Sequence, residues 1–270
     1  MFGWMTNVMR PERRVSRGNR RRAPASPRCR NRAASPRTRR STVRAALVVL
    51  SVAAVAVGLV LWQGSRGGGR AAALTALALA PSSSLRALST PPDPGALGPE
   101  GVPVPAAPEL AHADAPAPGH SVDGISAAAA EQLAFHIHAH LTIFVAGAPR
   151  QIPYGVGIAP PLEVESTAQG PFALGGTAFF WLHTHAADGI IHIESPSERT
   201  YTLGNFFDIW NEPLGPERVG PTTGHVTAFF NGRHYLGNPR DIPLLAHAQI
   251  QLDVGRPLVG PESIQFPAGL

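Results

Sequence analysis

The sequence predicts a β-dominated α+β domain, in which hairpins surround one short helix, preceded by a single transmembrane helix. Three observations lead to this prediction. Several segments in the C-terminal half alternate apolar and polar residues, which is the pattern of half-buried strands. One segment there has apolar residues at helical spacing, and residues 45–62 form an uncharged run nearer the N-terminus.

Charge is distributed unevenly along the 270-residue chain. Residues 1–44 contain 14 arginines and one acid, Glu12, whereas the rest of the chain holds nine arginines and 17 acids. The Ser/Pro content of the first segment predicts a disordered arm. Because this arm lacks aromatic interleaving and any helix-turn-helix pattern, we do not expect nucleic acid to be a partner.

Residues 45–62, AALVVLSVAAVAVGLVLW, predict a transmembrane helix. Their length is about the minimum for crossing a hydrocarbon core of ~30 Å. Arginines crowd the N-terminal side, so the positive-inside bias predicts a cytoplasmic arm and an exported C-terminal part. A cleaved signal peptide is the alternative, but no small-x-small cleavage site follows Trp62 closely. We therefore expect a single-pass protein of the cell membrane.

The exported part divides by composition into a spacer and a domain. Residues 63–124 are rich in Pro, Ala, Ser and Gly, as in PPDPGALGPEGVPVPAAPEL. Such a composition predicts an extended tether that buries little apolar surface. Residues 125–270 are then the folded domain, which is long enough to bury a sizeable core.

The strands of this domain are predicted from alternation and from turn residues. IHAHLTIFV (137–145) alternates strictly and is followed by QIPYGVGI as a return strand. FFWLHTH and IIHIE make a second pair, and Asn-Gly joins VTAFF to RHYLG, which is a strong hairpin signal. AQIQLDVG (248–255) is the last strand. These elements fit a β-grasp-like arrangement over 179–255 or, alternatively, a small sandwich or barrel.

The single helix is predicted within YTLGNFFDIWNEP. Apolar side chains lie at i, i+3, i+4 and i+7 from Leu203 to Trp210, so they form one helical face. Thr202 is a suitable N-cap, and Pro213 ends the segment. We expect a helix over residues 202–211 that packs on a sheet.

Histidines carry the chemistry of the domain. Alternate residues of a strand point to the same face. The three histidines of HIHAH therefore lie on one face of their strand, and the two histidines of H-T-H likewise lie on one face of theirs. A group of several imidazoles with a carboxylate is typical of a metal site. The candidate metal ligands are His136, His138, His140, His183, His185, His192 and Glu194.

The Asp-Gly pair at 188–189 turns this grouping into a geometric prediction. A two-residue type I′ turn there places His185 opposite His192, and His183 opposite Glu194. Directly opposite residues have Cβ atoms about 4.5–5.5 Å apart, within reach of one ion at about 2.0–2.1 Å from each ring nitrogen. A longer turn would shift this register. The sequence leaves open whether HIHAH joins this site or forms a second one.

The available ligand types narrow the choice of metal. The only cysteine, Cys29, and the three methionines lie in the N-terminal arm. The absence of soft ligands from the domain argues against blue copper and iron–sulfur centres. Imidazole with carboxylate suits Zn(II), Cu(II), Ni(II) or Fe(II), and copper or zinc is expected from the affinity order.

Three functions are compatible with these residues. The first is a non-enzymatic metal-binding module that senses, buffers or delivers the ion. The second is a metal-dependent enzyme with a two-His, one-carboxylate site, for instance His183, His185 and Glu194, with His138 or Asp188 as acid or base. The third is a β-rich module that binds a ligand or partner through a polar rim. We expect His225, His234 and His247 to be ordinary solvated or hydrogen-bonded histidines.

The motif LHTHAADGIIHIESP, followed by YTLGNFFDIW and FFNG, resembles a group of uncharacterised secreted or membrane-anchored domains of bacteria and archaea. The HAHLTIFVAG segment belongs to the same resemblance, which spans roughly residues 136–255. It implies a histidine-rich domain of this group and no particular activity.

Overall fold

The computed structural model describes residues 77–270. The predicted arm (1–44) and transmembrane helix (45–62) lie outside the described residues, as does the start of the predicted tether. Within residues 77–270, no helix is both long and apolar enough to cross a membrane.

Short strands dominate the described residues, and one α-helix, α1 (Leu203–Ile209), interrupts them. In chain order the strands are β1 (Leu79–Ala80), β2 (Ala96–Leu97), β3 (Pro103–Val104), β4 (Ser121–Val122), β5 (Ile125–Ala128), β6 (Phe135–Val145), β7 (Ala148–Arg150), β8 (Ile158–Ala159), β9 (Glu163–Thr167), β10 (Gly170–Gly175), β11 (Ala178–Phe180), β12 (Leu182–His183), β13 (Ile190–Ser195), β14 (Tyr201–Thr202), β15 (Leu214–Gly215), β16 (Arg218–Val219), β17 (Thr222–Thr223), β18 (Val226–Phe230), β19 (Arg233–Tyr235), β20 (Pro243–Leu244) and β21 (Ala248–Val254). Two 3-10 turns, at Ser82–Ser84 and Pro239–Asp241, complete the described elements. The predicted β-dominated α+β class is confirmed for these residues.

The main sheet is mixed and is built around β6. Its strand order is β1-β19-β18-β21-β6-β13-β12, with β7 also paired to β6. The β21–β6 pair is parallel, whereas β13 runs antiparallel to β6. The β-grasp-like prediction covered only residues 179–255. It therefore left out β6, which lies between β21 and β13 in this sheet.

The hairpin signal at Asn-Gly is confirmed. Phe230 lies opposite Arg233, so Asn231 and Gly232 form a two-residue turn with φ of 49° and 74°. Both angles are positive, as a type I′ turn requires, and Asn and Gly adopt such angles at low cost.

Helix α1 begins where the sequence predicts. The Thr202 hydroxyl accepts a hydrogen bond from the Asn205 backbone N–H, and the Asn205 side chain accepts one from the Thr202 N–H, which makes a reciprocal capping box. The helix buries Phe206 and Phe207 in the core. Trp210, fully buried at the C-cap, donates its indole N–H to the carbonyl of His112 at 2.8 Å.

Both faces of the sheet are buried near its centre. On one face, Ala139, Leu141, Ile191 and Ile193 belong to the main apolar core. On the opposite face lie the histidines of β6, β12 and β13, which are also largely buried. The histidines therefore lie on the face opposite the core residues Leu182 and Ile193.

Residues 77–124 differ from the extended tether that their composition predicts. Strand β1 pairs with β19, and Val102 and Leu110 are 0% and 6% exposed. Prolines restrict such a chain to short edge strands, but it can lie across a surface and insert single apolar side chains. The described part of this segment packs on the domain in that way.

Candidate metal centre

A row of three histidines crosses β12, β13 and β6, the three strands at one end of the main sheet. His183 on β12 lies opposite His192 on β13, and His192 lies opposite His138 on β6. In the next row, Glu194 lies opposite His136. Directly opposite residues share a face, so these side chains converge. Through His136 and His138, HIHAH thus joins the same cluster as His183, His192 and Glu194.

The predicted pairings of His185 with His192 and of His183 with Glu194 are both wrong by two residues, because His192 lies opposite His183. Asp-Gly does not form a two-residue turn, because a six-residue loop, 184–189, connects β12 to β13. The backbone of Thr184 pairs instead with Gly155 and Val156, and the carbonyl of His185 accepts from the N–H of Ala173. These distant partners end β12 at His183. A shift of two residues preserves the face, so the cluster survives the change of register.

The cluster is closed on most sides. Five of its residues are between 0% and 6% exposed: His138, His183, His185, His192 and Glu194. Phe172 stacks on the His185 ring, and Phe179 packs edge-on to His183. His136, whose side chain is 35% exposed, opens the cluster toward solvent on its side.

A first group of four potential ligand atoms surrounds one point. The Nε2 atoms of His136 and His138 are 3.0 Å apart, and His138 Nε2 is 3.2 Å from His192 Nδ1. Glu194 Oε1 completes the ring at 3.0 Å from His136 Nε2 and 3.4 Å from His192 Nδ1. Ligands at about 2.0–2.1 Å from a tetrahedral ion lie roughly 3.3 Å from one another, so these separations fit a single ion.

A second group adjoins the first. His183 Nε2 lies 3.1 Å from His185 Nε2 and 3.8 Å from Glu194 Oε2. His192 and Glu194 belong to both groups, and within each group the ligand atoms all lie within 4.8 Å of one another. Glu194 Oε2 is buried and has no hydrogen-bond partner among the described residues.

Outer hydrogen bonds orient three of the imidazoles. His183 Nδ1 donates to the carbonyl of Phe180 at 2.9 Å, and His185 Nδ1 donates to that of Ala173 at 2.5 Å. His192 Nε2 faces Glu100 Oε1 at 2.7 Å. Metal-binding histidines characteristically use the second ring nitrogen in this way, which fixes the tautomer and leaves the inner lone pair for the ion.

Burial sets the charge of most of these rings. Burial, together with the neighbouring histidines, lowers the pKa of His138 to about 3 and that of His183 well below its usual value. Burial also lowers the pKa of His185. These rings are therefore neutral at pH 7 and keep a lone pair for a cation.

His192 is the exception. Burial by itself would lower its pKa, but hydrogen bonds and charges from Glu100 and Glu194 outweigh burial and raise the pKa to about 9. In the metal-free protein at neutral pH this ring is protonated, so an ion that binds Nδ1 must displace a proton.

Three acidic residues near the cluster were not predicted as ligands. Glu100 comes from the proline-rich segment, and no local motif marked it. Its side chain is 5% exposed. Glu131 Oε1 lies 3.3 Å from His185 Nε2. Asp188, suggested from sequence only as an acid or base, is buried beside Glu100, and burial together with Glu100 raises the pKa of Asp188 to about 8.

His140 shares the histidine face but lies outside both groups. Its Nε2 contacts the carbonyl of Asp188 at 2.9 Å, and its Nδ1 lies 3.5 Å from the Thr142 hydroxyl. It lines a small cavity with Asp188 and Gly189 instead of the cluster. Elsewhere, His225 contacts Glu217 and His247 contacts the carbonyl of Leu270, as expected of ordinary histidines.

The fold and the cluster together define a β-rich α+β domain with a buried histidine–glutamate site compatible with metal binding. Comparisons with models of known protein families, with curated proteins and with solved structures gave no significant match to this chain.

Proposed function

We propose that this protein is a membrane-anchored, extracytoplasmic domain that binds a divalent transition metal, Cu(II) or Zn(II), at the histidine–glutamate cluster. The observation that carries the proposal is the orientation of the rings. His183, His185 and His192 each bond outward to a carbonyl or carboxylate and turn the other nitrogen toward the interior of the cluster. Histidines that only fill a core do not require several ring nitrogens to converge.

The donor set supports copper or zinc. The cluster offers neutral imidazole and carboxylate and no thiolate or thioether, which suits borderline divalent ions. Divalent copper and zinc bind such ligands more tightly than divalent iron and manganese do.

The closed surroundings favour sensing, buffering or delivery over catalysis. His183 and Glu194 are 0% and 3% exposed, so a substrate would have little access to an ion bound between them. A catalytic metal needs an open coordination position.

The location outside the cell rests on the sequence alone. Residues 45–62 would anchor the chain, with the arginine-rich arm in the cytoplasm. Alkaline extraction of membranes, followed by protease treatment of intact cells, tests this orientation. Release of the chain by alkali, or protection of the C-terminal domain from external protease, would contradict it.

Equilibrium dialysis of the full-length chain in detergent tests metal binding. After removal of metal with EDTA, the wild-type protein should retain Zn(II) or Cu(II), and the His183→Gln variant should retain less. His225→Gln, at an exposed position, is the matched control and should behave as wild type. A folded, metal-free wild-type chain that takes up neither ion would overturn the proposed function.

A further inference from the structure

We propose that the cluster holds two divalent ions, bridged by the carboxylate of Glu194. This inference rests on the proposed metal-binding function and concerns how many ions the site takes and which side chains hold each. The N-site denotes His136, His138, His192 Nδ1 and Glu194 Oε1, and the H-site denotes His183, His185 and Glu194 Oε2.

The two oxygens of Glu194 point to different groups of ligands. Oε1 lies 3.0 Å from His136 Nε2 and 3.4 Å from His192 Nδ1, which places it in the N-site. Oε2 lies 3.8 Å from His183 Nε2, which is in the H-site. A single ion held through Oε1 would leave Oε2 buried and without a hydrogen-bond partner, and a buried unpaired carboxylate oxygen is costly.

The N-site is complete without help from β12. Its four donor atoms form a closed ring with neighbouring separations of 3.0, 3.2, 3.4 and 3.0 Å. Those separations match the spacing of four ligands around one zinc or copper ion. This ion therefore needs neither His183 nor His185.

If only the N-site held an ion, the ring nitrogens that converge in the H-site would bind no ion. His183 and His185 bring their Nε2 atoms to 3.1 Å, and each Nδ1 is already bonded to a backbone carbonyl. Two imidazoles and one carboxylate oxygen, Glu194 Oε2, thus converge beside the N-site. Glu131 Oε1 lies 3.3 Å from His185 Nε2.

Acidic side chains accompany both sites. Within the described residues, Glu194 lies between the two sites, Glu131 Oε1 is 3.3 Å from His185 Nε2, and Glu100 Oε1 is 2.7 Å from His192 Nε2. A carboxylate bridge also sets two metal ions at the separation of about 3.5–4 Å that is common in dinuclear sites.

The stoichiometry of the full-length chain tests this arrangement. The metal-stripped protein is dialysed against excess Zn(II), and the bound zinc is measured by mass spectrometry. We expect two ions per chain for the wild type, and one for each of the double variants H136Q/H138Q and H183Q/H185Q. The control H225Q/H234Q, away from the cluster, should keep two.

The outcomes separate this inference from the proposed function. One ion per wild-type chain would overturn the dinuclear site and keep the metal-binding function, whereas no bound ion would overturn both. Two ions in wild type that persist in either cluster double variant would also contradict the assignment. Circular dichroism establishes that each variant is folded.

A second measurement needs no variant. Wild-type protein is loaded with one and then two equivalents of Cu(II) and followed by electron paramagnetic resonance. Two bridged Cu(II) ions should give a half-field transition and lose the intensity of isolated ions at the second equivalent. Two independent, uncoupled signals at that point would overturn the bridge through Glu194.

Discussion

At the scale of the residue, the position of a ring nitrogen decides which histidines belong to the cluster. His138 and His140 are two residues apart on β6 and share a face, yet only His138 points a nitrogen at the other potential ligands. His140 is held by the carbonyl of Asp188. Alternation along the strand predicts the shared face, but the rotation of the ring depends on that distant carbonyl.

His140 should make the metal-free protein sensitive to acid. Burial lowers the pKa of His140 from 6.5 to about 4 in the folded chain. Between pH 6.5 and pH 4 the unfolded chain binds a proton at His140 that the folded chain does not bind. The contribution of the neutral His140 to the free energy of unfolding is therefore fully present above pH 6.5 and is lost as the pH falls toward 4. In His140→Gln, whose side-chain amide can still donate to the Asp188 carbonyl, the loss of unfolding free energy between pH 7 and pH 4 should be smaller by roughly 3 kcal/mol.

Urea unfolding in EDTA at a series of pH values measures this difference. The exposed His225→Gln variant is the control and should follow the wild-type curve. Parallel wild-type and His140→Gln curves would show that His140 is not buried in a neutral form.

Glu100 should contribute to metal affinity through His192. Its carboxylate lies 2.7 Å from His192 Nε2, where it orients the ring and increases the basicity of the inner nitrogen. Removal of such an outer partner typically lowers metal affinity by about 10–100-fold. We expect Glu100→Gln to weaken Zn(II) binding by this factor in competition titrations with a coloured chelator, and the exposed Glu165→Gln to leave it unchanged. Equal affinities would show that Glu100 does not act on the ion.

Glu100 also marks a limit of prediction at this scale. Seven candidate ligands were identified because they alternate on recognisable strands, and six of them converge. Glu100 lies in GPEGV, within a stretch whose composition resembles a spacer, and 92 residues separate it from His192. No local pattern encodes a contact of that range.

At the scale of the element, the reliable predictions were those with a local cause. The Asn-Gly turn and the N-cap of α1 depend on the conformation and hydrogen bonds of neighbouring residues. The prediction of a two-residue Asp-Gly turn was wrong, because the backbones of Thr184 and His185 form hydrogen bonds with other segments. The register of β12 against β13 is therefore a tertiary property, although the histidine face is a local one.

The capping box of α1 should be measurable in the stability of the domain. Thr202 accepts from Asn205 N–H at the start of a helix of only seven residues, so little else satisfies that amide. Thr202→Ala should lower the free energy of unfolding by about 1 kcal/mol, whereas Thr202→Ser, which keeps the hydroxyl, should lower it much less. Thermal and urea unfolding measure both.

The exposed Thr223→Ala is the surface control for this comparison. It should change the unfolding free energy by less than about 0.5 kcal/mol. A Thr202→Ala variant as stable as this control would contradict the contribution of the cap.

At the scale of the whole molecule, residues 77–124 contact both the histidine cluster and the main apolar core. Glu100 caps the cluster, while Val102 and Leu110 are buried. The carbonyl of His112 satisfies the indole of the core residue Trp210. An ion in the cluster is thus shielded from solvent partly by chain that enters from far along the sequence.

A comparison of two truncated chains tests this contribution. A chain of residues 77–270 keeps the segment, and a chain of residues 125–270 lacks it. Burial of one Val or Leu side chain stabilises a fold by about 1.5–3 kcal/mol, so the loss of Val102 and Leu110 alone predicts a decrease of several kcal/mol. The shorter chain should unfold at lower urea concentration and bind Zn(II) more weakly, since it also lacks Glu100.

The two readouts distinguish a packing role from a role at the cluster. In the longer chain, Val102→Ala should lower stability while leaving Zn(II) affinity close to that of the unsubstituted chain, because Val102 is not one of the potential ligands. Glu100→Gln should have the opposite pattern, with the larger effect on affinity. If residues 125–270 matched residues 77–270 in both urea midpoint and affinity, the segment would behave as the spacer that its composition predicts, and the cluster would be closed by the strands alone.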